Sequence, residues 1–233
     1  MTAARRGELA AGLADVRGRI TAACKAAGRG ADEITLVAIT KTWPAADVRL
    51  LSGLGVTDVG ENRDQEAAAK ALQCADLDLT WHFVGQLQTN KCVSVAGYAD
   101  VVHSVDRLRL IRALGSGARR AGRVITCLVQ VRLDEDPARG GAPEDHVPVL
   151  AHSLAGEEGL VLGGVMALAP LGVPAEAAFG RLGDFAAAVR AVRPDATMIS
   201  AGMSGDLEQA IAAGATHVRV GTALLGSRRS IVR

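Results

Sequence analysis

The sequence predicts a closed (β/α)8 barrel of the TIM type, built as a single domain over residues 1–233 with an extra N-terminal helix. Three observations carry that prediction. Eight short apolar runs have the length and β-branched content of strands, and amphipathic stretches of helical period separate them. No proline-, glycine- or serine-rich linker divides the 233 residues, a length that one large core can serve. A doubly wound open sheet shares this local grammar but uses fewer strands, so it stands second.

The elements follow in order. Leu9, Leu13, Val16, Ile20 and Cys24 recur at three- and four-residue steps, the period of a helix with one buried stripe, and Gly28-Arg29-Gly30 stops it. Ile34-Thr35-Leu36-Val37-Ala38-Ile39-Thr40 reads as a strand buried on both faces; it ends on Lys41, and Pro44 forbids its continuation. A helix over Ala45–Leu54 leads to a strand at Thr57–Gly60. Asn62 with Gln65 three residues on predicts a capping-box start to the helix through Leu72. Strand three is expected at Trp81–Gly85, with Thr89 as a candidate cap for the next helix. Strand four falls at Asp100–Ser104, followed by a helix marked by Leu108, Ile111 and Leu114. Ile125–Val131 is strand five. A long loop, Leu133–Pro148, and a helix near Asp145–Leu154 come next. Leu160–Leu168 is strand six, and one helical stripe holds Phe179, Leu182, Phe185, Val189 and Val192. Strand seven is Thr197–Ser200, the next helix Ser204–Ala213, and strand eight His217–Val220.

Composition excludes several classes. Charges almost cancel at +1, whereas a general nucleic-acid or membrane-surface protein needs a basic field. The basic clusters Arg119-Arg120-Ala121-Gly122-Arg123 and Ser227-Arg228-Arg229 sit where helices are expected to end and cations suit the dipole. No apolar run reaches the roughly 20 residues of a bilayer span, and Met1–Glu8 has no signal-peptide pattern. Cys24, Cys74, Cys92 and Cys127 are scattered singly, which predicts reduced thiols in a cytoplasmic protein and no zinc site. His146 and His152 lack metal-ligand spacing.

In such a barrel, chemistry sits at the C-terminal ends of the strands. Those positions hold Lys41, Glu61-Asn62, His82 with Gly85-Gln86, Ser104 with Asp106, Arg132, Met166, Ser200–Ser204 and Arg219–Thr222. Ser200-Ala201-Gly202-Met203-Ser204-Gly205 and Arg219-Val220-Gly221-Thr222 place glycines and hydroxyls in the turns after strands seven and eight, where this fold binds phosphate. Tight βα turns would use the same glycines. Lys41 is either a snorkelling surface lysine or an amine in a partly apolar mouth, where desolvation makes it nucleophilic. Arg219 either pairs with a carboxylate on the rim or faces a ring nitrogen, which it would leave unprotonated because a guanidinium only donates. Asn62 can cap its helix or contact a ligand. His82, His103 and His217 lie in strands and read as hydrogen-bonded barrel histidines. An amine beside a phosphate cradle suits a phosphorylated aldehyde held as a Schiff base.

The motifs Ala38-Ile39-Thr40-Lys41-Thr42, Val59-Gly60-Glu61-Asn62 with Gln65-Glu66, and Trp81-His82-Phe83-Val84-Gly85-Gln86-Leu87-Gln88-Thr89-Asn90-Lys91 run on through the chain. Ser104-Val105-Asp106-Arg107, Gly164-Val165-Met166-Ala167, Ser200-Ala201-Gly202-Met203-Ser204 and Val218-Arg219-Val220-Gly221-Thr222 complete them. Together they resemble the pyridoxal phosphate homeostasis protein family from first strand to last. Thr40 stands where serine is common and Ala201 where methionine is common. The resemblance implies the barrel of alanine racemase, pyridoxal phosphate fold type III. It implies pyridoxal 5′-phosphate as a Schiff base on Lys41, with phosphate held by Ser204 and the backbone of Gly221 and Thr222. Arg219 would face the pyridine nitrogen, while Asn62, His82 and Met166 would line the ring.

Three functions fit these residues. A racemase needs a second acid–base group, supplied in the racemases by a tyrosine from another domain; the one tyrosine here, Tyr98, falls in the helical region after strand three. A Schiff-base aldolase acting on a phosphorylated sugar would use Lys41 and the cradle without a cofactor. The preferred reading is a protein that holds, buffers or delivers pyridoxal phosphate in vitamin B6 and amino-acid homeostasis, without robust turnover and with no catalytic residue. Its expected partners are the cofactor and apo pyridoxal-phosphate enzymes, with no nucleic acid and no membrane, and a monomer is the expected state.

Overall fold

In a computed structural model describing residues 2–133, 140–170, 172 and 174–226, β-branched runs form eight parallel strands that close into a barrel in sequence order. They are β1 (Thr35–Ile39), β2 (Asp58–Glu61), β3 (Thr80–Phe83), β4 (Val101–Val105), β5 (Ile125–Val131), β6 (Leu160–Ala167), β7 (Met198–Ser200) and β8 (His217–Val220). The expected fold class is therefore borne out, and the open sheet is not found. Closure comes from β1 pairing β8, with Thr35 opposite His217, Leu36 opposite Val218, Val37 opposite Arg219 and Ala38 opposite Val220.

The helices between them are α1 (Thr2–Ala26), α2 (Ala45–Ser52), α3 (Asp64–Gln73), α4 (Cys92–Ala96), α5 (Leu108–Ala121), α6 (Val147–Ala155), α7 (Ala175–Phe179), α8 (Leu182–Val192), α9 (Leu207–Ala212) and α10 (Thr222–Leu225). The stripe expected of α1 is buried in full: Leu9, Leu13, Val16, Ile20 and Cys24 pack with Ala38, Leu207, Ile211, Val218, Val220 and Leu224. Each such side chain contributes about 2 kcal/mol by leaving water. The extra helix thus covers the outside of the β1–β8 seam. Arg5 adds hydrogen bonds to Asp47 (2.8 Å) and to the Leu225 carbonyl (3.1 Å).

Three local expectations change. Neither Asn62 nor Thr89 caps a helix: α3 opens after Arg63 and the turn at Thr89 after Gln88, both without a side-chain cap. The stripe from Phe179 to Val192 is two helices, because Gly180, a weak helix former, ends α7 before α8 begins. Strand β1 ends at Ile39, two residues before Lys41. Much of the loop after β5 lies outside the described residues, as does Ser227-Arg228-Arg229; on its far side Ala142 pairs with Val131. All four cysteines are buried and free. No helix among the described residues is long and apolar enough to cross a membrane.

Side chains alternate between the outer shell and the barrel interior, as the pleat requires. Val218 and Val220 pack outward against α1 and α9, so Arg219 faces inward and is almost fully buried. Val101, Leu128 and Met166 form an inner apolar cluster with Leu168 and Met198. Met166 owes its place to a bulge: the β5–β6 register slips between Cys127 and Leu128, and Gly164 takes φ +148° there. A Cβ at Gly164 would lie 1.9 Å from the Met198 carbonyl oxygen, so only glycine fits.

Candidate cofactor site

Because β8 closes on β1, the C-terminal ends of β7, β8, β1 and β2 are neighbours. Ser204, Gly221 with Thr222, Lys41 and Asn62 follow those four ends in that order. Residues from opposite extremes of the chain are therefore gathered on one half of the rim. Met166 on β6 pairs with Ser200 on β7 and extends the group beneath it.

The turn carrying Lys41 is held from outside the barrel. Lys70 of α3 is buried and its Nζ donates to the Thr40 carbonyl, Glu61 Oε1 and Glu66 Oε1, each at 2.7 Å. Thr40 Oγ1 donates to the same Glu61 oxygen at 2.6 Å, and the Thr42 N–H donates to Glu66. Thr42 has φ +69°, a left-handed conformation that a β-branched residue adopts only when its surroundings impose it. Both flanks of Lys41 are thus tied to one buried ion-pair cluster. Burial pushes the Glu61 carboxyl up, and the bonds from Lys70 and Thr40 offset this only in part.

Lys41 itself is exposed at the rim and makes no hydrogen bond or ion pair among the described residues. Its exposure matches the surface-lysine alternative, and the strand stops at Ile39, two residues short of it. Asn62 is also exposed.

The expected phosphate end is a joined pair of turns. Ser204 Oγ accepts the Ala223 N–H at 3.3 Å, linking the loop after β7 to the one after β8. The Met203 N–H donates to Asp206 Oδ1 at 2.5 Å, and Gly202 O accepts the Arg219 N–H at 2.9 Å. Thr222 opens α10, so its N–H has no intrahelical acceptor. A Cβ at Gly221 would sit 3.3 Å from the Ile39 carbonyl oxygen, so the turn after β8 lies close against the end of β1.

Arg219 is fixed by Nη1 donating to Ser200 Oγ at 2.6 Å and Nη2 donating to the Ala167 carbonyl at 2.9 Å. Its interior position and these partners replace the rim salt bridge. Burial pushes its pKa down to about 10, which leaves it charged near neutrality. His82 and His103 are the buried, hydrogen-bonded histidines expected: His82 Nδ1 and His103 Nε2 lie 2.8 Å apart. With His82 Nε2 on Asp58 at 2.9 Å, both of its ring nitrogens are engaged within the protein. Tyr98 lies on the outer wall with Leu72, Leu77 and Trp81, and burial raises its phenol pKa far above the usual range.

Sequence reasoning missed two groups. The Lys70–Glu61–Glu66 cluster was half visible, since Glu66 and Lys70 have the i, i+4 spacing of a helical ion pair. Asp58 and Ser200 were not singled out as partners of the histidines, although both share the inward parity of their strands.

A free amine, a donor-only guanidinium, a hydroxyl and backbone N–H groups at one mouth form a donor set that suits a phosphorylated aromatic aldehyde. Residues 14–229 match the family described as alanine racemase, N-terminal domain. The pyridoxal phosphate homeostasis protein of Mycobacterium bovis is 44% identical over 244 residues, covering 97% of this chain and 95% of that protein. PipY of Synechococcus elongatus, solved with PLP bound, superposes with a TM-score of 0.82 at 35% identity, over 94% of this chain and all of PipY (100%). Alanine racemase of Corynebacterium glutamicum shares the fold, with a TM-score of 0.69 at 13% identity over 98% of this chain and 63% of the racemase. The chain belongs to the alanine racemase N-terminal domain family and, within it, to the pyridoxal phosphate homeostasis proteins.

Proposed function

We propose that this protein binds pyridoxal 5′-phosphate at the C-terminal mouth of the barrel and holds it for release to apo-enzymes, in vitamin B6 and amino-acid homeostasis. The observation that carries the proposal is the gathering of Lys41, Asn62, Ser204, Gly221 and Thr222 on adjacent strand ends above the buried Arg219. The bound cofactor supplies an aldehyde that a lysine amine can capture and a ring that can accept electrons. Lys41 provides the amine. Ser204, Gly221 and Thr222 would hold the phosphate, and Arg219 would face the ring nitrogen. Asn62, His82 and Met166 would line the ring pocket. A guanidinium cannot give up a proton to the ring nitrogen, which favours holding the cofactor over carbanion chemistry. The location of Tyr98 on the outer wall supports the same reading, since no phenol at the mouth serves as an opposing acid–base group. Four buried thiols suit a reducing cytoplasm, and we place the protein there as a monomer.

Titration with pyridoxal phosphate, borohydride reduction and peptide mapping tests the proposal. One pyridoxyl label on Lys41, lost in Lys41→Ala, is the expected result. No label, or a label retained elsewhere in Lys41→Ala, overturns it. Robust amino-acid racemisation by the loaded protein would replace the carrier reading with an enzymatic one.

A further inference from the structure

Five polar side chains join into one chain of hydrogen bonds through the barrel. Asp58 Oδ1 lies 2.9 Å from His82 Nε2, and His82 Nδ1 lies 2.8 Å from His103 Nε2. His103 Nδ1 lies 2.9 Å from Ser200 Oγ, which lies 2.6 Å from Arg219 Nη1. His103 is on β4 and Ser200 on β7, which are not neighbours in the sheet. Their bond therefore crosses the interior.

The ends fix the direction of every link. Arg219 can only donate, so Ser200 Oγ accepts from it, and the Ser200 proton goes to His103 Nδ1, the nitrogen that the Asp58 end leaves bare when both imidazoles are neutral. His103 then carries its proton on Nε2 and donates to His82 Nδ1. His82 in turn donates from Nε2 to the Asp58 carboxylate, which only accepts. Each intermediate group gives one bond and takes one, with both imidazoles neutral. We propose that Asp58, His82, His103 and Ser200 form a one-way hydrogen-bond chain that positions Arg219, with Asp58 as the remote counter-charge of the guanidinium.

The surroundings support this polarity. His103 and Ser200 are fully buried and His82 nearly so, and burial holds His103 well below the ordinary histidine range. Burial works against ionising Asp58, but bonds from His82 and from Thr57 Oγ1 (2.7 Å) outweigh it and keep its pKa below the usual carboxylate value. His217, the other inward histidine, lies 6.3 Å from the His82 ring centre and turns Nδ1 to Thr216 Oγ1 at 2.8 Å, outside the chain. Asp206 acts on Arg219 only through space. Asp58 also lines a cavity of about 500 Å³ at the N-terminal end of the barrel, so the chain runs from that face toward the candidate site. A break anywhere would strand a buried polar group, which is what makes such networks rigid.

The link to the cofactor rests on the proposed role of Arg219, but the chain can be read in the cofactor-free protein. Long-range ¹H–¹⁵N spectra near neutral pH should show His82 and His103 neutral, each protonated on Nε2. An imidazolium, or a proton on Nδ1 of either ring, overturns the chain. In Asp58→Leu, Nδ1–H signals should appear, and the separate Arg219 Nη signals should merge as the guanidinium turns freely. Asp58→Asn, which keeps an acceptor oxygen, should retain the wild-type tautomers. Unchanged spectra in Asp58→Leu refute the role of Asp58. Pyridoxal phosphate affinity should fall on the order of tenfold in Asp58→Leu, as for a lost charge-assisted bond. It should be unchanged in Asp32→Asn, at the edge of the same cavity. Wild-type affinity in Asp58→Leu would overturn the positioning role. A wild-type protein that binds no pyridoxal phosphate would instead overturn the reading of the mouth, while the spectra still judge the chain.

Discussion

Replacing Lys70 with methionine tests how the Lys41 turn is held. The ammonium of this buried residue places three bonds of 2.7 Å on Thr40, Glu61 and Glu66. Methionine fills similar space but leaves the fully buried Glu61 with a single donor, Thr40 Oγ1. Removing one partner of a buried pair costs about 3–5 kcal/mol, a large share of the roughly 5–15 kcal/mol that stabilises a domain. The sign of the pH dependence follows from Glu61. Its folded pKa is already raised by burial, so the folded state holds that proton more tightly than the unfolded chain does. Stability contributed by this group is therefore present in acid and lost as pH rises from the unfolded value through the folded one. Without Lys70 the folded value rises further. The deficit of Lys70→Met should be smallest in acid and should grow as pH rises above the ordinary carboxylate range, read by urea unfolding. Adding Glu61→Leu should return part of the loss, because the stranded carboxylate is gone. A deficit under about 1 kcal/mol, the range of an exposed pair, would refute the reasoning. So would a larger deficit in acid.

Other outcomes test separate parts of the fold. Gly164→Ala should lower stability by about 2–4 kcal/mol, since its methyl meets the Met198 carbonyl in a conformation closed to alanine; thermal melting decides, and an unchanged midpoint contradicts the bulge. Burial raises the Cys127 thiol strongly and pushes Cys92 up to about 11, so a thiol reagent should label neither in the native protein and both after unfolding; rapid native labelling of either would disagree. His217 is pushed down to about 4 by burial. A histidine lowered on folding makes stability fall as pH drops from the ordinary histidine range through the folded value, so His217→Gln should flatten the acid limb of a melting series. An identical limb would assign that dependence to other groups.

How far the sequence could be read depended on whether a feature was local. Strands β5 and β8 have the bounds expected of them, Ile125–Val131 and His217–Val220. Lys41, Asn62, Ser204, Gly221 and Thr222 could be picked out because a parallel barrel sends every βα turn to one face, whatever the tertiary detail. Lys41 shows the limit: its strand stops two residues early because Thr42 takes a left-handed turn, and that turn depends on Glu66 and Lys70 from another helix. The hydrogen bonds of His82 and His103 were expected, but not their order. Asp58, Ser200 and Arg219 come from three other strands, and no spacing along the chain encodes a contact across a barrel.

The seam between β1 and β8 has a consequence for how the protein comes into being. The first strand must wait for the last before the barrel can close, so this pairing has the greatest sequence separation in the sheet and a high cost in chain entropy. A ligand held by the turns after β1 and β8 bridges that late contact and binds only the closed form. Its binding free energy adds directly to closure. At the proposed site, occupancy of the mouth would be a measure of completed folding, because the turn after β8 forms only once that strand has arrived.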